Sequence, residues 1–147
     1  MRDDGMTRPV PVQPGFWSEC LLVTPDADTL VASYDAHTAE ETLRWLRIVV
    51  RMLQSLLTEG EAEPITDWLL FGHHRSHADL AQGWPLELTL RPSRRPGLEV
   101  RFTARPVVFL PLADRDPQRL RACSGRWAQP MAVATALTHY APPTRGA

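Results

Sequence analysis

TAEETLRWLRIVVRMLQSLLT, residues 38–58, is the stretch that decides the fold. Polar side chains recur at Glu40, Arg44, Arg47, Arg51 and Gln54, spacings of three and four that trace one side of an α-helix. Leu43, Leu46, Val50, Leu53 and Leu57 trace the opposite side, and Trp45, Val49, Met52 and Leu56 widen that stripe. A helix this broadly apolar is expected to be covered on more than one side. Thr38 and Glu41 have the T-x-x-E spacing of a capping box, in which each side chain satisfies an amide of the first turn. Glu40 and Arg44 form a favourable i,i+4 pair, and Gly60 supplies a stop. The spacing predicts a helix over residues 38–58.

In the second half of the chain the period changes from about 3.6 to two. Leu86-Glu87-Leu88-Thr89-Leu90-Arg91 alternates apolar and polar side chains, and so does Leu98-Glu99-Val100-Arg101-Phe102-Thr103. Strict alternation means strands with one buried face. The Pro-, Ser- and Gly-containing linker 92–97 makes them an antiparallel hairpin. Leu86, Leu88, Leu90, Leu98, Val100 and Phe102 should point inward, with Glu87, Arg91, Glu99 and Arg101 outward and able to pair across strands. Residues 107–112 read as a further strand, at an edge or irregular because Pro106 and Pro111 cannot donate to a ladder. Upstream, residues 16–23 and 29–34 form a second hairpin around the Pro25-Asp26 turn.

The remaining segments are shorter. Residues 59–64 read as an acidic loop. Residues 65–71 suit a short helix, with a strand as the alternative, broken by Gly72. Residues 73–82 form a helical turn or two ending at Gly83. Asp116-Pro117 starts a short helix that Gly125 ends, and residues 130–140 form a last helix. The order is β-β-α-(α)-β-β-β-α-α. Short connections favour antiparallel pairing. The expected architecture is α+β, an antiparallel sheet of about five strands with the 38–58 helix packed on one face. Residues 16–140 make one domain, flanked by flexible tails at 1–15 and 141–147.

Composition bounds the class. The chain has 147 residues, 44% hydrophobic and 22% charged, which suits one globular domain. No apolar stretch approaches the roughly 20 residues of a membrane span, and the charged N-terminus lacks the apolar run of a secretory signal. A cytoplasmic location is the expectation. All 16 basic residues are arginine, and asparagine is absent as well. Both absences point to a GC-rich bacterial genome, so arginine here is partly codon usage. Residues 1–90 carry six arginines against fourteen acids, whereas residues 91–126 carry nine against three. With the total at −1, the two halves are expected to attract one another within one fold. Cys20 and Cys123 have no metal-type spacing and read as buried thiols.

Three groups of residues could carry function. His73 and His77 stand at i,i+4, the helical spacing that places two imidazoles on one zinc ion, and Asp79 could add an oxygen or orient a ring. His37 and His139 are the other candidates for a third ligand. No cofactor is required, zinc being the one candidate. The set would support a metal-binding protein or a metal-dependent hydrolase. Arg91, Arg94, Arg95, Arg101 and Arg105 lie along the predicted hairpin and could contact phosphate backbones, as in a nucleic-acid-binding regulator. Trp17, Trp84 and Trp127 lie at element edges, where tryptophan serves protein contacts. There is no nucleophile elbow, and lysine-free sequence has no phosphate-binding P-loop. The leading expectation is a non-catalytic protein that works by contact with another protein or by self-association, with no membrane partner.

Overall fold

A computed structural model of the chain describes residues 12–110. The expected helices after Asp116 and over 130–140, together with Cys123, Trp127, His139 and both chain ends, lie outside the described residues. The order within them is β1 (Gln13–Val23), β2 (Asp28–Ala36), α1 (Ala39–Gln54), α2 (Glu59–Asp67), a π-helical turn (Trp68–Gly72), α3 (His73–Ala81), β3 (Leu86–Leu90) and β4 (Glu99–Phe109). The four strands form one antiparallel sheet in the order β2-β1-β4-β3. This is the α+β architecture that the periodicities predict.

The helices lie on one face of the sheet. Val100, Phe102 and Ala104 of β4 are in register with Leu22, Cys20 and Ser18 of β1, and with Leu90, Leu88 and Leu86 of β3. These positions share one face because side chains alternate along a strand. Against them pack Leu43, Leu46, Val49, Val50 and Leu53 of α1, and Ile65, Leu69 and Leu80 from the segment that follows. Trp45 stacks on Tyr34 at a centroid distance of 5.6 Å. The other face is polar along β4. Arg101 bonds Glu99 (2.7 Å) and approaches Glu87 (3.8 Å), and Arg91 bonds the second Glu99 oxygen (2.8 Å). The cross-strand charge pairing read from the alternation is present.

Among the described residues four strands replace the expected five, because residues 107–109 continue β4 rather than starting anew. β1 begins at Gln13, inside the expected tail, and pairs residue for residue with β4 up to Phe109. β3 stops opposite Ala104, so Pro106 has an open side on which its missing N–H leaves no ladder bond unmade.

The helical middle differs more. Thr38 caps α1, its Oγ1 accepting from the Glu41 amide (3.1 Å). The Glu41 carboxylate accepts from the amide of His37 (3.0 Å) rather than closing the box on Thr38. α1 ends at Gln54, where Leu56 and Leu57 donate to Leu53 and Gln54 in tight i,i+3 turns. Gly60 does not stop it. The expected acidic loop is instead α2, with Gly60 and Pro64 inside it. Gly72 does not break the chain's helical course either: the His73 amide donates to Trp68 O, an i,i+5 bond. A Cβ at Gly72 would meet the Trp68 ring at 2.9 Å, which explains glycine there. Trp68 Nε1 donates to Ser76 Oγ (3.1 Å), which donates back to Gly72 O (3.3 Å), tying the π-turn to α3. Gly83, at φ +92, does end α3 as predicted.

Glu61 joins two distant parts of the fold. Its carboxylate accepts from the Thr58 amide at the start of α2 (2.8 Å) and from the Ser93 amide in the β3–β4 loop (2.6 Å). The Thr58 bond first, then those to Ser93, pull the Glu61 pKa down from about 4.5 to about 2. A pKa lower in the folded chain than in the unfolded one adds stability above the unfolded value, and this is lost as pH falls towards the folded value. Urea unfolding between pH 5 and pH 2, in steps of about half a unit, should therefore show a smaller acid loss for Glu61→Gln than for the wild type. Equal losses would mean that the two amide bonds do not favour the ionised carboxylate.

Candidate functional site

Two surfaces of the helical layer concentrate chemistry. The first is a cleft of about 430 Å³ between α1 and α3, lined by Glu40, Leu43, Arg44, Arg47, His73, His74 and His77. α1 supplies the guanidinium groups from its polar side, and α3 faces them with imidazoles. The His73 and His74 rings lie 3.9 Å apart, tilted by 37°. Arg44, on the exposed rim, is 3.6 Å from Glu40. Arg47 is set deeper. Its Nε is buried without a hydrogen-bond partner, and His73 Nδ1 is buried without a well-formed one. Burial first, then the Arg47 charge, then His74 lower the His73 pKa, against the pull of the Trp68 and Leu69 carbonyls. The ring is thereby biased towards its neutral form.

The cleft unites His73 and His77 as their spacing implied, but Asp79 does not line it. Two residues further along a helix, its side chain points roughly 200° away from that of His77. Among the described residues no group of three or more His, Cys, Asp or Glu side chains converges as a metal site requires. The charges beside the histidines are guanidiniums, which repel a divalent cation and attract an anion. The sequence shows Arg44 and Arg47 in one segment and His73, His74 and His77 in another. Only packing α1 against α3 brings residues 44 and 47 to residues 73–77.

The second surface is the outer stripe of the continuous helical segment Glu59–Ala81. Its exposed charged, imidazole and large apolar side chains come in three blocks along the segment: Glu59, Glu63 and Asp67; then Leu70 and Phe71; then Arg75, flanked by His74 and His77, which also line the cleft. Leu70 and Phe71 are 57% and 71% exposed. The π-turn inserts an extra residue at this point, and such insertions re-aim side chains. Sequence reading missed this stripe because residues 59–64 looked like a loop and Gly72 like a break. The signal that could have found it is the acidic–apolar–basic order of residues 59–77.

The arginine series is divided. Arg91 and Arg101 are both engaged by Glu99, and these bonds hold its carboxyl below the usual range, Arg101 foremost. Arg94 and Arg95 lie in the β3–β4 loop beside Ser55 and Leu56, whereas Arg105 stands opposite Trp17 on the polar sheet face. Of the tryptophans, Trp84 is 62% exposed. Trp17 is part-buried and donates to Glu19 (2.8 Å). Burial pushes the Cys20 thiol up, so it behaves as a small apolar core residue.

No family model, curated protein or solved structure matches the chain. Among the described residues no helix is long and apolar enough to cross a membrane.

Proposed function

We propose that this is a non-catalytic protein that acts by self-association, two copies pairing the Glu59–Ala81 segments antiparallel about a two-fold axis at Leu70 and Phe71. The three-block stripe supports this reading. An isologous interface must be self-complementary. An apolar centre with acids on one side and bases on the other meets that demand, because a two-fold rotation sets each acidic block against the partner's basic block. The same charge order also suits the dipole of an isolated helix. The exposed Leu70–Phe71 pair at its centre has no such explanation. A stripe this narrow falls at the small end of specific interfaces, so the dimer is reversible and depends on concentration.

Light scattering over a concentration series should show the mass rising from 16.5 kDa towards twice that value. The rise should weaken in high salt, which screens surface charges. Leu70→Asp/Phe71→Asp should stay monomeric. A stricter test uses charge reversal. Glu63→Arg/Asp67→Arg and His74→Glu/Arg75→Glu should each fail to self-associate, yet form a mixed dimer when combined. A wild-type chain that stays monomeric throughout, or reversed variants that do not pair, would overturn the proposal.

A further inference from the structure

The geometry points to the cleft between α1 and α3 as a binding site for a phosphate-type oxyanion, free or as the monoester of a small molecule. Arg44 and Arg47 reach it from one wall and His73, His74 and His77 from the other. Five nitrogen-bearing side chains thus face one space, and the single carboxylate among the lining residues, Glu40, is engaged at the rim by Arg44. Arg47 carries the argument furthest. A partly buried cation is costly without a counter-charge, and among the described residues its buried Nε has no hydrogen-bond partner. Guanidinium groups bind phosphate through paired N–H donors that match its oxygens. Imidazoles beside them can donate further hydrogen bonds without adding the full charge of an arginine. A metal ion would meet the opposite: repulsion from both guanidiniums and, among the described residues, no converging set of three ligands. The site shares His74 and His77 with the basic end of the helical segment, but it lies between α1 and α3 and does not need the Leu70–Phe71 contact.

The test is titration of the full chain with inorganic phosphate, glycerol phosphate, acetate and zinc in separate arms, followed by NMR of the histidine rings. Saturable shifts at His73, His74 and His77 with phosphate or its monoester, and no response to acetate at equal ionic strength, are the expected result. The tighter of the two phosphate arms identifies the source of the anion. An exposed-rim variant, Arg44→Met, should weaken binding about tenfold, the usual scale for one charge-assisted hydrogen bond. Arg47→Met should weaken it at least as much, and Arg47→Lys should recover part of the loss. Should Arg47→Met fail to fold, Arg44→Met and Arg47→Lys still decide. Shifts that follow acetate equally, that survive Arg44→Met unchanged, or that appear with zinc alone would overturn the inference. Running the phosphate arm on Leu70→Asp/Phe71→Asp separates the two proposals, because the monomeric variant should still bind phosphate.

Discussion

Phe102→Ala is expected to lower the unfolding free energy by about 3–5 kcal/mol, the usual cost of emptying a buried phenyl site. Phe102 is 1% exposed and is the largest fully buried side chain among the described residues. It stands at the centre of the covered sheet face, opposite Cys20 on one side and Leu88 on the other. The loss has two parts: the apolar area returned to water, and the cavity left between the sheet and the helices. Both neighbouring strands are fixed by their ladders, so the site cannot collapse to fill the gap. A domain of this size has a total stability of about 5–15 kcal/mol, so the loss is a large share of the total. Urea denaturation at 25 °C measures the change. A loss below about 1 kcal/mol would mean that the helices do not cover this face.

Gly15→Ala should cost about 1–3 kcal/mol through overpacking, an unusual result for the addition of one methyl group. Gly15 is buried in β1, and a Cβ there would collide with the Phe109 ring and sit 2.7 Å from the carbonyl oxygen of Ala36. A ring at the end of β4 can swing aside, but the β2 backbone oxygen cannot. The contrast is Gly60→Ala. Gly60 lies in α2 with nothing within 4 Å of the added atom, so that variant should gain about 0.5–1 kcal/mol from helix propensity. Thermal unfolding of the pair checks the sign of each. A neutral Gly15→Ala would show that β2 and β4 do not converge on the start of β1.

Much of the fold was legible in the residues. The 3.6 period over 38–58 and the alternation in 86–91 and 98–103 each report a contact of the chain with its own core, and both came out as elements of the right type. The hairpin turns were equally local. The spacing of Ile65, Trp68 and Leu69 did point to a short helix, but the helical course of residues 59–64 was not legible, because Gly60, Pro64 and three acids are what a loop contains. Thr58 and Glu61 have the spacing of a capping box, and the Thr58–Glu61 bond made there together with the burial of Ile65 outweighs those poor propensities. Gly72 misled for a related reason: it is there to make room for Trp68, not to end a helix. Pro106 suggested a strand boundary, whereas the length of β1 gave it a place inside β4.

The candidate site divides in the same way. The i,i+4 spacing of His73 and His77 put both on one side of α3, where they line the cleft. It could not say what they face.

What the sequence determined by itself is local: which segments coil, which extend, where Thr38 caps and where Gly83 stops, because each follows from a period or a dihedral preference within a few residues. Only the tertiary structure decided that β1 lies between β2 and β4, that the polar side of α1 meets the histidines of α3, and that Asp79 points elsewhere. Those outcomes depend on groups tens of residues apart sharing one core. Many pairings bury similar apolar area, and the one adopted is selected by the sum of all of them.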